Sequence, residues 1–330
     1  MSRIRRLLIF LVSAVLALSL GSCTDSSPIQ LPLTTRGNIQ MPHENRSTTA
    51  LFDLLTVDER RGLLYVPHTS NSALELVNTH TQKWLTSISG LPGARGVALT
   101  PDPNVIFVTE SQGGALGVID TQAMKVIGTV PVNGSPDAIG YDELDDAVLV
   151  TSSSVNELTI VDRTTRKVRG TVKLPGSPEL MTVDGKAGVA YIAINDKDEV
   201  AAINIASKAL TEFRGCDIKA PTGVAIDDQG HLFVADRGLV SVIDVLIDKC
   251  LGSVDIGNGV DQITINPHRH HLYTANGGSR NLSVIDTNSF KPLGIVGTGP
   301  GGDGVAADAT TDLVYVMVGR AGIVAVYHDP

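Results

Sequence analysis

One chemical theme recurs along this chain at a fixed interval. Asp53, Arg95, Asp137 and Glu179 are each 42 residues apart, and Asp261 and Asp303 are again 42 apart. Between the two groups Pro221 holds the register, with Thr222 one residue later. Residues at equivalent places in a repeat occupy equivalent places in the fold, so these side chains are expected to converge. Two carboxylates about 8 Å apart repel by about 0.5 kcal/mol in bulk water and by about 2 kcal/mol at an effective dielectric of about 20. A partly dehydrated set of acids therefore invites a cation, a raised pKa or a salt bridge to Arg95. The alternative is that each acid accepts hydrogen bonds from loop N–H groups of its neighbour and needs no ligand. A second set, His68, Glu110, Asp236 and Asn276, also falls at matching positions, with Asp196 and Asp198 in a nearby loop. A cavity ringed by both sets is the default ligand site. No nucleophile elbow, Gly-rich phosphate loop, HExxH or CxxC is present, so catalysis has no motif to stand on.

The elements that position these residues follow from the interval itself. An apolar strand signal centres on Tyr65, Phe107, Leu149, Tyr191, Phe233, Tyr273 and Tyr315, in steps of 42, 42, 42, 42, 40 and 42. A second marker, apolar then Asp or Asn, falls at Asn78, Asp120, Asp162, Asn204, Asp244 and Asp286 and keeps the same register. One two-residue deletion between Phe233 and Asp244 accounts for both short steps. Within one unit, Ala138 to Tyr141, Ala147 to Thr151, Leu158 to Asp162 and Lys167 to Val172 read as four short strands bounded by turn residues. Four antiparallel strands per unit, repeated seven times, predict an all-β fold, a seven-bladed β-propeller of four-stranded antiparallel blades. The innermost strand alternates small and large residues, as in Gly96 and Ala98 with Val97 and Leu99, so that strands crowd at the hub while larger side chains fill the space between blades. The last unit stops at Pro330, one outer strand short. The stretch Gly37 to His43 is expected to supply that strand and so remove a free sheet edge. On this reading the acids ring one mouth of the central channel.

The units resemble the YVTN-repeat propellers, most closely in Leu272-Tyr273-Thr274-Ala275-Asn276-Gly277-Gly278 and Val284-Ile285-Asp286-Thr287. The resemblance runs from Leu51 to the end and implies a seven-bladed exported or surface propeller. Members of that family have diverse roles, so the fold implies no activity. WD-repeat and kelch signatures are absent.

Other residues have plainer readings. An Asp or Asn closing each third strand, as in Asp120-Thr121-Gln122, caps its own turn. His268, His270 and His271 lie in a hairpin on the face opposite the acids, with no Cys or carboxylate pair beside them in sequence, and read as a solvated loop. Cys216 and Cys250 are expected to remain unpaired. On the repeat they fall at opposite ends of adjacent outer strands, six positions or roughly 20 Å apart, beyond the roughly 7 Å limit for bridged Cα atoms.

The N-terminus gives an address. Arg3, Arg5 and Arg6 precede an apolar run from Leu7 to Leu20, too short for the roughly 20 residues of a spanning helix, and Leu20-Gly21-Ser22-Cys23 follows. This resembles the lipobox of bacterial lipoproteins and implies acylation of Cys23, with residues 1–22 a signal peptide, 23–35 a Ser/Thr/Pro-rich tether and 36–330 the propeller. By the same resemblance Thr24 after the cysteine implies sorting to the periplasmic side of the outer membrane in a Gram-negative cell. The chain has 330 residues, 42% hydrophobic and 18% charged, and a formal charge of −9, which argues against a nucleic-acid partner.

Together these features predict a monomeric, envelope-anchored binding or scaffold module. It meets the membrane by its lipid anchor alone and offers its channel mouth or outer face to a small molecule, a cation or a protein. The alternative is a hydrolase resembling the lactonase-type propellers, holding Ca²⁺ or Mg²⁺ at the mouth with Glu110, Asp236 or Glu179 as base.

Overall fold

The computed structural model describes residues 32–42, 52–214 and 216–330. The signal segment, Cys23 and most of the tether lie outside them, as does His43. Seven four-stranded antiparallel sheets are arranged in a ring, each in the order inner, second, third and outer strand. Blade one is Thr56–Asp58, Leu63–His68, Ala73–Asn78 and Lys83–Ser89. Inner strands of the next five blades are Ala94–Ala98, Pro136–Asp142, Pro178–Asp184, Val224–Ile226 and Val260–Asn266. Among the described residues no helix is long and apolar enough to cross a membrane.

Each second strand is an almost wholly buried run. Its alternate side chains point into the two interfaces that a blade shares with its neighbours, so the continuous apolar stretches carry no polar-out alternation. Tyr65, Phe107, Phe233, Tyr273 and Tyr315, the markers of the repeat, are fully buried there. The Asx positions act as expected: Asp120 Oδ1 accepts from Gln122 N at 2.9 Å and from Ala123 N at 2.8 Å. The two-residue deletion falls in the hairpin between the second and third strands of blade five. Arg237 and Gly238 alone link His231–Ala235, through Asp236, to Leu239–Asp244, and Gly238 takes φ +97°.

Blade seven consists of Gly302–Asp308, Leu313–Val318 and Ile323–His328, completed by Thr34–Gln40. This N-terminal strand pairs antiparallel to the last strand, from Thr34 opposite His328 to Gln40 opposite Ile323. It starts three residues before the stretch expected from sequence. Leu33 is already buried against Val296 of blade six, while Ile39 and Met41 pack against Leu64 and Val66 of blade one.

One expectation is overturned. Cys216 and Cys250 form a disulfide with Cα atoms 5.3 Å apart. An outer strand extended through Cys216 would keep the two thiols apart, but the outer strand of blade four is only Leu210–Phe213. It lacks the bulge that lengthens its counterpart in blade two, where the register shifts between Val118 and Ile119. Beyond it the chain leaves the edge. Cys216 and Asp217 take φ of +66° and +50°, and Ile218 is buried in the core between blades four and five. Ser241 Oγ donates to Cys216 O at 3.3 Å, which seats Cys216 over the third strand of blade five beside Cys250.

Candidate functional site

The inner strands crowd at one end of the channel because small residues let them. A Cβ added to Gly223 would lie 2.4 Å from Asp261 O, one on Gly304 3.0 Å from Asp53 O, and one on Gly96 3.2 Å from Asp137 O. Bonds between neighbouring blades fix the spacing: Leu54 N donates to Arg95 O at 3.1 Å, Leu180 N to Thr222 O at 3.2 Å, and Thr222 Oγ1 to Val260 O at 3.0 Å. These backbone positions adjoin the recurring acids, so the acids are held at fixed places around the axis.

Six predicted residues are brought together there. Asp53, Arg95, Asp137, Glu179, Asp261 and Asp303 line one cavity of about 140 Å³, with Phe52, Leu54, Leu180 and Gly304. Arg95 Nη1 lies 3.2 Å from Asp53 Oδ2 and 3.5 Å from Asp137 Oδ1. The cation is therefore committed to one side of the ring, and no such ion pair is formed by Glu179, Asp261 or Asp303 among the described residues. Burial raises the pKa of Asp303, and the charge of Arg320 only partly offsets the rise. Asp53 accepts a bond from Leu54 N at 3.0 Å. Among the described residues it is the one ring carboxylate with a backbone donor, so bonding to loop N–H groups does not account for the ring.

All five acids are pushed up. Burial drives each shift. For Asp53, held well above the carboxylate range, burial is reinforced by Asp137 and opposed by Arg95. Asp261 is raised to about 7, by burial first and then by the charges of Asp303, Asp137 and Glu179. Asp137 and Glu179 are raised less, against the pull of Arg95.

The second predicted set lies elsewhere. His68, Glu110, Asp236 and Asn276 are buried within their own blades and do not line the cavity. His68, Glu110 and Asn276 each face the residue at one fixed position of the third strand. His68 Nδ1 lies 3.0 Å from Glu75 Oε1, and Asn276 Nδ2 donates to Ser283 Oγ at 2.9 Å. Glu110 occupies the space left by Gly117, where a Cβ would meet Glu110 Oε1 at 2.5 Å, and burial raises its pKa. Asp236 accepts from Lys219 N at 3.0 Å. The position is a packing slot in which large and small partners are exchanged from blade to blade. Its signal in the sequence is the residue seven further on: Glu75 after His68, Gly117 after Glu110, Ser283 after Asn276. Asp196 and Asp198 also serve loops, accepting from Ser177 N and Ala220 N.

The histidines of blade six are not merely solvated, and two of them have the carboxylates that sequence proximity did not reveal. His268 Nδ1 lies 2.9 Å from Asp312 Oδ1, and His271 Nδ1 lies 2.6 Å from Asp329 Oδ2. Both acids come from blade seven, so these pairs stitch the two blades together on the face away from the ring. No group of three or more His, Cys, Asp or Glu among the described residues is placed to hold a metal ion.

Gln262 is the residue of the mouth that the charge pattern misses. Its Oε1 accepts from Leu55 N at 2.9 Å and from Val305 N at 3.0 Å, and its Nε2 donates to Leu55 O at 3.0 Å. One side chain of blade six thus joins blades seven and one. The available signal is that Leu54, Gly96, Ala138, Leu180 and Gly304 occupy the corresponding positions in five of the other units, all apolar or without a side chain.

A scan of protein-family models gives no match to this chain, and a search of curated proteins gives none either. Among solved structures, a chain of Kuenenia stuttgartiensis hydrazine synthase is similar at a TM-score of 0.74 and 15% identity, over 86% of this chain and 97% of that one. At that identity the likeness is one of fold, the β-propeller.

Proposed function

We propose that this propeller is a non-catalytic binding module whose channel mouth takes an organic cation, the ammonium or guanidinium group of a small molecule or of a partner's side chain. One observation carries the reading: five carboxylates raised by burial line one cavity, and its single arginine is committed to two of them. A cation larger than a bare metal ion fits better, because the acids are spread around the mouth and are not gathered on one point. Of the three candidate bases of the hydrolase alternative, Glu110 and Asp236 are buried inside blades two and five, and Glu179 lines the cavity. We further propose that the chain is an exported lipoprotein of the YVTN-repeat kind, acylated at Cys23. The Cys216–Cys250 disulfide agrees with an oxidising compartment outside the cytosol. Intact mass of the membrane-fraction protein is expected to show diacylglyceryl-Cys23 as the first residue. A product cleaved elsewhere with an unmodified Cys23 rejects the anchor.

Titration tests the mouth with its sign fixed in advance. Acids whose folded pKa is raised make the native state bind more protons than the unfolded chain, so stability is lost as pH rises. The loss begins near the ordinary carboxylate range, about 4. It is complete only above the value of about 7 that Asp261 reaches. A cation should therefore help most above pH 7. Spermidine at a hundred times its Kd adds about 2.7 kcal/mol if it binds the folded state alone. For a domain of this size that is a rise in Tm on the order of 5 °C. The rise is expected at pH 8 and should shrink at pH 5, and Asp261→Asn with Asp303→Asn should abolish it while flattening the dependence of Tm on pH. A double variant that responds to spermidine as the parent does removes the acids from the reading.

A further inference from the structure

We propose that the Cys216–Cys250 disulfide is a reversible lock on the channel mouth, opened by a dithiol reductant. This rests on the reading of the mouth as a binding site. Blade five is the one position of the ring without a charged residue; Pro221 and Thr222 stand there. What holds that gap is the segment 216–222. Cys216, Asp217 and Ala220 are non-glycine residues in the left-handed region, at φ of +66°, +50° and +45°. Such a conformation is unfavourable for each residue and persists only where its surroundings impose it.

The segment is held at both ends and at points between. The disulfide fixes Cys216 to the outer strand of blade five. Lys219 N donates to Asp236 Oδ2 at 3.0 Å and Ala220 N to Asp198 Oδ1 at 2.8 Å. Thr222 then accepts from Leu180 N, the residue after Glu179, and donates through Oγ1 to Val260 O, the residue before Asp261. A strained strap anchored by one covalent bond therefore ends between two acids of the ring. Removing that anchor leaves the left-handed residues free to relax, and the spacing of Glu179 and Asp261 goes with them.

The bond is placed to be opened and remade. Cys250 is exposed, whereas Cys216 is partly buried. A thiolate of the reductant attacks Cys250 Sγ, the S–S bond breaks, and Cys216 leaves as a thiolate that takes up a proton. The second thiol of the reductant then displaces Cys250 from the mixed disulfide, so two electrons and two protons pass to the protein and the reductant leaves as its own disulfide. The released Cys216 thiol has an acceptor in place, because its Sγ lies 3.5 Å from Val242 O.

The test compares the oxidised full chain with the same protein reduced by dithiothreitol, and with Cys216→Ser plus Cys250→Ser. Two readouts are taken: trypsin cleavage after Lys219, and the affinity for spermidine at pH 8. Opening of the strap is expected to raise cleavage at Lys219 by about tenfold or more, because cleavage tracks the population of the open segment. Affinity for spermidine should fall by at least about threefold in the reduced and double-serine forms and return on reoxidation of the parent. Equal cleavage in all forms overturns the lock. Faster cleavage with unchanged affinity overturns its coupling to the mouth and leaves the binding site standing. If no form binds spermidine, the site reading falls and the regulation with it, while the cleavage result still decides whether the disulfide holds the strap.

Discussion

Deletion of Thr34–Gln40 is expected to abolish the folded monomer. The strand closes the outer edge of blade seven, and without it Ile323–His328 presents a row of unpaired backbone groups flanked by the buried side chains of Val324 and Val326. An uncovered apolar edge pairs with other chains. The deletion also empties two interfaces, since Ile39 packs towards blade one and the position of Leu33, against blade six, depends on the same strand. Ile39→Ala alone should lower stability by about 2–5 kcal/mol, the usual cost of a large-to-small change in a filled core. Urea unfolding and size-exclusion chromatography of the two variants check this. Addition of a peptide spanning residues 30–42 should restore a monomeric species to the deleted chain. A deleted chain that remains monomeric and unfolds at the urea concentration of the parent would falsify the closure.

The second large effect is expected at His68. Glu75 is completely buried, and His68 Nδ1, Trp84 Nε1 at 2.9 Å and Ser87 Oγ surround its carboxyl group. The His68 ring also stacks on Phe52, with centroids 4.0 Å apart, and Phe52 lines the mouth. His68→Ala removes one partner of a buried acid and the support of a mouth residue, at an expected cost of about 3–5 kcal/mol. The repeat supplies the control. Blade four fills the same slot with Ile194 and Ala201, both fully buried. His68→Ile with Glu75→Ala copies that pair and should recover most of the loss, because no carboxyl group is left stranded. If the double variant is no more stable than His68→Ala, the loss comes from packing around Phe52 and not from the acid.

The architecture was legible because two markers with unrelated chemistry, a buried aromatic and a turn-capping Asx, keep one interval, which only a repeated unit enforces. The ring was legible for the same reason. What the interval could not reveal is the direction of a side chain and the path of the chain where a unit is irregular. His68, Glu110, Asp236 and Asn276 share a level with the mouth, yet strand alternation turns them into their own blades, towards Glu75, Gly117 and their equivalents. The disulfide was hidden because the outer strand of blade four lacks a bulge, so counting along the repeat placed Cys216 on an edge it has already left. Asp312 and Asp329 were not connected with the histidines of blade six because the contacts cross 44 and 58 residues.

The closure of blade seven also orders events in time. Thr34 and His328, which face each other in the finished sheet, are 294 residues apart, so the strand that emerges first is the partner of the one that emerges last. Gln262 adds the same constraint at the hub, since its bonds to Leu55 span 207 residues. Contacts of such separation form late and slowly. Blades one to six can each assemble from consecutive sequence as the chain appears, but blade seven cannot be completed until both Thr34–Gln40 and Ile323–His328 are present. A chain delivered only part-way to His328 is therefore an open arc with two unsatisfied ends, and the ring can close only once Ile323–His328 is free to meet Thr34–Gln40.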